Sequence, residues 1–243
     1  MPWRRWAQRR RPRPAPRPLL PARLRPAAAA LLAACVAVTL ALALTFAGHT
    51  RAGPLDSAVD ARARAGLGTH PAVAGQLVRL GDTGPVTAVT IALVLACVAV
   101  RRWRGGVLVA VAVPATAVLT EFVLKPVIHR TLRGALSFPS GHTAIMFALA
   151  VASAVLLANP PGRRVPGAVR LLLVLAALLA AAAVAAAMVG MGFHYFTDTV
   201  GGAAVGTALP LLSALVADGA AGSRRVDEAG APRRTATSTR LSL

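Results

Sequence analysis

His194 and Asp198 stand four positions apart at the edge of a long apolar run. On a helix that spacing gives them one face. A carboxylate beside an imidazole fixes its tautomer and leaves the other nitrogen to act as nucleophile or base. A second histidine, His142, follows Pro139-Ser140-Gly141 at the mouth of another apolar run. Pro139 and Gly141 break the chain where a helix starts. The amides of Ser140, Gly141, His142 and Thr143 are therefore expected to be free at a helix N-terminus, where a phosphate is favoured. Just upstream lie Lys125, Arg130 and Arg133, so an anion site is the natural reading. Plainer readings stand beside it. Ser140 alone could be a helix N-cap, His194 and Asp198 a cap cluster, or the pair part of a metal site for which no further ligand sits at a recognisable spacing.

The elements that must hold these residues are apolar. The chain has 243 residues, 56% hydrophobic and 14% charged, against roughly a quarter charged in soluble domains. A span needs about 20 mostly apolar residues, and six candidates appear: 27–47, 85–100, 107–124, 143–158, 171–191 and 199–217. The expected fold is an all-α integral membrane bundle of six transmembrane helices, residues 27–217, between a basic disordered tail over 1–26 and a second disordered tail over 218–243. The first apolar run exceeds the 7–15 residues of a signal core and is read as a span. The connection 48–84 repeats Leu55, Val59, Ala63 and Leu67 at helical spacing, with Asp56, Asp60, Arg62 and Arg64 on other faces, which predicts an interfacial amphipathic helix. His49 and His70 in that connection, and His129, read as loop residues.

Net charge is +19, but the arginines fall in the tails and in short blocks between apolar runs, so nucleic-acid binding is not expected. With six spans, twenty basic residues fall on the side of the two tails and seven on the other. The positive-inside rule makes the tail side cytoplasmic. Both histidine blocks and Lys125 then face out of the cytoplasm, at the extracytoplasmic ends of the helices. Cys35 and Cys97 lie inside apolar runs and form no metal or disulfide pattern. Glu121 precedes Lys125 by one helical turn, the favourable order for an ion pair.

Lys125 with Arg130, then Pro139-Ser140-Gly141-His142, then His194 and Asp198, in this order and between these spans, resembles the type 2 phosphatidic acid phosphatase (PAP2) superfamily, in its bacterial integral-membrane branch. The resemblance covers roughly residues 85–217. It implies a metal-independent lipid phosphatase that needs no cofactor and works through a phosphohistidine at the cytoplasmic membrane. In that scheme His194 attacks phosphorus, Asp198 orients it, and His142 protonates the leaving oxygen and then activates water. Lys125, Arg130, Arg133, Ser140 and Gly141 would hold the phosphoryl oxygens. The sequence departs from the family pattern at two places. The first motif ends in Arg-Pro seven residues after its lysine, where this chain has Leu132 and Arg133. The third carries an arginine six residues before its histidine, where this chain has Met188. One guanidinium contact is therefore missing. The expected substrate is a lipid phosphate or pyrophosphate of the polyprenyl, phosphatidic acid or phosphatidylglycerol phosphate type. The alternative is a non-catalytic protein that binds or flips lipid phosphates through a degenerate site.

Overall fold

Alanine, leucine and valine runs bounded by proline and glycine close into helices, because in lipid every backbone polar group must be satisfied within its own segment. The computed structural model describes residues 17–160 and 165–230. Helix α1 is Arg25–Phe46, α2 Pro54–Gly66, α3 Pro71–Leu80, α4 Thr83–Ala99 and α5 Trp103–Val118. A π-helical turn, Leu119–Leu124, carries α5 directly into α6, Lys125–Ile128. Then come α7 Gly141–Ala158, α8 Gly167–Gly190 and α9 Phe196–Gly230. Among the described residues, five helical stretches are long and apolar enough to cross a membrane. A sixth is formed if α3 and α4, bent by 43° at Gly81-Asp82, count as one broken span. The expected membrane bundle is thus present, and its helices lie close to the predicted spans.

Three details differ from expectation. The third span does not end at 124: it continues through Lys125, and the helix stops only at His129, whose φ of 55° is left-handed. Residues 17–26 are not a free tail. Leu19 and Leu20 are buried, and their amides donate to Asp218 Oδ1 and Oδ2 at 2.9 Å each. Arg104 reaches the same carboxylate at 2.8 Å, and Asn159 Nδ2 donates to Pro18 O at 2.8 Å. A buried carboxylate holding two amides and a guanidinium straps the chain across the bundle end opposite the histidines. The second tail was expected to begin at 218, yet α9 continues to Gly230 and Asp218 is buried within it. The tail expectations for 1–16 and 231–243 lie outside the described residues.

Helix α2 docks a mixed face rather than a purely apolar one. Leu55 is exposed while Asp56 and Asp60 are buried, 0% and 2% exposed. The docked face carries the two carboxylates, which meet amide donors and the Arg130 guanidinium at the start of α9, together with half-buried Val59, Ala63 and Leu67. Helices α2 and α3 both pack on α8.

The centre of the bundle is α7, packed against α5, α8 and α9. Its approach to α9 is set by glycine. A Cβ on Gly202 would stand 2.5 Å from Ser140 O, and one on Gly206 would meet the Ala144 carbonyl oxygen. Small residues at such positions let helix backbones meet in lipid, where dispersion must replace the hydrophobic effect. At the strap end, Arg102 Nη1 donates to Leu156 O and Arg170 Nη1 to Leu157 O. Guanidinium donors there satisfy the orphan carbonyls and the negative dipole end of α7.

Gly206→Val should lower the unfolding temperature of the detergent-solubilised protein by a cost of about 1–3 kcal/mol or more. Gly75→Ala, in α3 with nothing within 4 Å of the added carbon, should be neutral or slightly stabilising. A thermal unfolding series of the two variants checks the contrast.

Candidate functional site

The site is built at one end of the bundle, where α7 and α9 begin and α6 and α8 end. Helix α8 stops at Gly190, and the chain turns through Gly192, whose φ is 70°. His194 falls in this turn, its amide donating to Met188 O at 3.3 Å, and α9 starts two residues later. Asp198 sits in the first turn of α9 and is fully buried. Its Oδ2 accepts the Tyr195 amide at 3.0 Å, the reciprocal arm of a capping box. That same oxygen lies 3.6 Å from His194 Nδ1, an ion-pair distance that is too long for a hydrogen bond. His194 Nδ1 is buried and has no other partner among the described residues. Asp198 therefore faces the Nδ1 side of the ring and leaves Nε2 clear of it. Catalytic hydrogen bonds often tighten only when substrate is bound.

The second block is bonded to the first through the backbone. The Ser140 amide donates to the Asp198 carbonyl at 2.9 Å, so of the four amides expected to be free, one is committed. The amides of Gly141, His142 and Thr143 have no acceptor among the described residues. Ser140 occupies the N-cap position but makes no side-chain cap; its Oγ accepts from Thr143 Oγ1 at 3.1 Å. A cap role for Ser140 alone is thereby set aside. Beside this open helix start lies the end of the third span. Glu121 Oε1 sits where a Cβ on Gly141 would be, and Lys125 Nζ lies 4.0 Å from that point. A side chain at 141 would displace the carboxylate end of Glu121. The expected Glu121–Lys125 ion pair forms at 2.7 Å. The π-helical turn between α5 and α6 is what sets their register; such turns mark functional positions in helices.

His142, on the first turn of α7, directs Nε2 at Asp82 Oδ1, 3.2 Å away at the α3–α4 corner. Gly81 lies against the same ring, and a Cβ there would stand 2.9 Å from His142 Cδ2.

Arg130 departs most from expectation. It is 0% exposed. Its Nη1 donates to Asp198 Oδ1 at 2.6 Å and Thr197 Oγ1 at 2.7 Å, and its Nη2 to Asp56 Oδ2 at 2.6 Å. Phe46 covers one side with its ring 4.0 Å from Cζ, and Tyr195 lies 4.4 Å away. Both terminal nitrogens are committed to protein carboxylates, so this guanidinium positions Asp198 rather than reaching a ligand. Asp56 completes the knot: its Oδ1 accepts the Thr197 amide and hydroxyl at 2.8 Å each. Burial alone would raise the Asp56 carboxyl. The Thr197 amide, Arg130, the Thr197 hydroxyl and the Gly53 amide outweigh it and hold the group below the usual carboxylate range. Asp60, accepting the Phe196 amide at 3.0 Å, is pushed up by burial and by the charges of Asp56 and Asp198.

Arg133 stays exposed, with Nη2 3.4 Å from where a Cβ on Gly192 would be. It belongs to a two-residue hairpin turn between strands β1, Thr131–Leu132, and β2, Ala135–Leu136, which pair antiparallel. Arg133 and Gly134 both have positive φ, 53° and 84°, the signature of a type I′ turn. Proline, with φ fixed near −65°, cannot occupy position 133. The absence of the pattern's proline at 133 thus has a backbone reason; Leu132 in place of arginine has none in the structure. Met188 is buried and supplies no cation.

Sequence reading brings together His142, His194, Asp198, Lys125, Ser140 and Gly141, and the structure gathers them at one end. Asp56, Asp60, Asp82 and Thr197 escape it. Asp56 and Asp60 share the four-residue spacing of His194 and Asp198, which was the available signal. Asp82 carries no local signal at all.

Comparison with known proteins gives the family and the fold. A family model described as the PAP2 superfamily matches residues 4–219. A solved structure from Bacillus subtilis, described as the first transmembrane PAP2 type phosphatidylglycerolphosphate phosphatase, superposes with a TM-score of 0.62. It covers 84% of this chain and 98% of that one at 21% identity, which shows a shared fold. No curated protein matches the sequence significantly.

Asp56→Asn should destabilise the protein by about 3–5 kcal/mol, because Arg130 would keep a buried charge with half its pairing lost. Asp60→Asn should cost no more than about 1 kcal/mol, since an amide oxygen still accepts from Phe196. The sign of the pH dependence follows from the depressed Asp56. Its contribution is complete above the unfolded carboxylate value near ~3.9 and is lost as pH falls through the lower folded value. Asp60, shifted upward, works in the opposite sense. Thermal unfolding against pH, comparing both variants with the parent, should show a shallower acid limb in Asp56→Asn alone.

Proposed function

Because the chain belongs to the PAP2 superfamily, we propose that it hydrolyses a lipid phosphate or pyrophosphate at the membrane surface through a phosphohistidine. The observation that carries this reading is the Ser140 amide donating to the Asp198 carbonyl. It joins a helix start with free amides to the His194–Asp198 pair, with Lys125 beside the same turn.

Phosphoryl transfer asks mainly for positioning and for cations on the equatorial oxygens. Lys125, Arg133 and the amides of Gly141, His142 and Thr143 would hold those oxygens, whose charge grows in the transition state. His194 Nε2 would attack phosphorus in line. The P–O bond to the lipid breaks, and His142 gives its proton to the departing oxygen. His142 then takes a proton from water, which attacks phosphorus, breaks the P–N bond and frees inorganic phosphate. No metal enters this scheme. The apolar cleft of about 560 Å³ between α1, α7, α8 and α9 reaches Leu20, Leu24 and Ala158 at the strap end and does not bear on the substrate. A site at the end of a membrane bundle suits a substrate with a hydrocarbon chain. Phosphatidylglycerol phosphate, phosphatidic acid and polyprenyl pyrophosphates all have that form. The arginine distribution supports cytoplasmic termini and a site facing outward.

A second reading is a non-catalytic lipid-phosphate binder or flippase. What favours it is Arg130, whose terminal nitrogens both serve protein groups, together with Met188 in place of a cation. The intact pair of histidines weighs against it, because binding alone does not need them.

Phosphate release by the purified full-length protein from short-chain phosphatidic acid, phosphatidylglycerol phosphate and farnesyl pyrophosphate separates the two. Turnover is expected on at least one, with His194→Ala and His142→Ala each reducing it by about 10²–10⁴-fold. Binding without turnover, abolished by Lys125→Ala, would establish the binder. Turnover unaffected by either histidine change would exclude the phosphohistidine route.

A further inference from the structure

The corner between α3 and α4 is used by none of the roles above, yet it makes direct contact with His142. Asp82 is the N-cap of α4, with extended backbone angles of φ −66° and ψ 157°. An aspartate there ordinarily turns its carboxylate back onto its own helix amides. This one makes no such bond. Its Oδ1 instead faces His142 Nε2 at 3.2 Å, across 60 positions of sequence. The neighbouring residue acts on the same ring. Gly81 is buried, and a Cβ on it would stand 2.9 Å from Cδ2 and 3.3 Å from Cβ of His142. The corner thus offers the imidazole a flat backing and a charged acceptor together.

We propose that Asp82 is the positioning residue of His142: it holds a proton on Nε2, turns Nδ1 toward the departing group, and stabilises the ring when it is doubly protonated. The assignment rests on the phosphatase reading for its catalytic consequence, though not for its geometry. The site then contains two aspartate–histidine pairs of different character. Asp198 is fully buried and shares its charge with Arg130. Asp82 is half exposed and has no cation of its own among the described ion pairs. A carboxylate without a competing cation is the better partner for a ring that must gain and lose a proton. The buried, neutralised one suits a ring that must stay neutral to attack.

The proton balance gives a discriminating experiment. A p-nitrophenolate leaving group departs without a proton, whereas the alkoxide of diacylglycerol needs one. First-turnover rates of the full-length protein should therefore be measured with p-nitrophenyl phosphate and with dioctanoyl phosphatidic acid. Asp82→Asn is expected to slow release of diacylglycerol by about 10–100-fold, while the first release of p-nitrophenol changes by less than about threefold. In a His142→Gln background the same change should add little, as for residues acting as one unit. Equal slowing of both substrates, no slowing of either, or full additivity with His142→Gln would overturn the proposal. Nitrogen NMR of the imidazoles provides a readout independent of turnover, with His142→Gln giving the assignment. The parent should show the tautomer protonated at Nε2, and Asp82→Asn should lose that preference. An unchanged tautomer would refute the assignment. A parent protein inert on both substrates would instead refute the phosphatase reading, and the spectra would still decide the Asp82 pair.

Discussion

The buried guanidinium of Arg130 is the interaction on which the rest of this end of the molecule depends. It draws together Asp56 of α2 and Asp198 and Thr197 of α9. Phe46 from the last turn of α1 and Tyr195 from the turn before α9 enclose it. A charge removed from water costs several kcal/mol unless its partners are complete, and near a bilayer that demand is stricter still. Two short carboxylate bonds and two aromatic rings meet most of it, leaving Nε without a partner. Such a knot is specific rather than merely attractive, because each shift of register along α9 would leave a charge unpaired. Asp198 is consequently held from one oxygen by Arg130 and from the other by the Tyr195 amide, and His194 inherits its orientation from that.

The start of α9 is unusual in its capping. Three carboxylates, from Asp56, Asp60 and Asp198, take the amides of Thr197, Phe196 and Tyr195. Its positive dipole end is therefore spent on the protein itself. The start of α7 differs: only Ser140 is committed, and the next three amides remain without acceptors among the described residues. A phosphate would find its helix N-terminus there and not at α9. Glycines 202 and 206 make this division possible by bringing α7 within backbone contact of α9, so the open helix start lies beside the capped one that follows His194.

Cation supply is thinner than the family pattern suggests, and backbone conformation explains part of this. The Arg133-Gly134 turn requires positive φ at both positions, which excludes the proline that usually stands there. The hairpin leaves Arg133 exposed near Gly192 while Arg130 is drawn inward. Lys125 remains as the cation beside α7, tethered by Glu121 and held in helix by the π-helical turn. A tethered ammonium loses less freedom on meeting an anion than a free one, at the cost of competing with its own carboxylate.

The apolar runs of this sequence were enough to specify the helices, because hydropathy and backbone satisfaction act locally and need no partner. The two histidine blocks were legible too, since proline, glycine, serine and histidine at the mouth of a span have few structural uses. The spacing of Glu121 and Lys125 likewise announced its ion pair. What sequence could not decide was which polar side chains turn inward. Asp56 and Asp60 border a regular apolar stripe, yet they are the most buried residues of α2, because amides and a guanidinium distant in sequence await them. Arg130 looks like a ligand-binding cation until those carboxylates are counted. Asp82 resembles an ordinary helix cap until His142 is seen beside it. Helices follow from short-range pattern; the pairing of buried charges is a long-range choice, made only when the bundle closes.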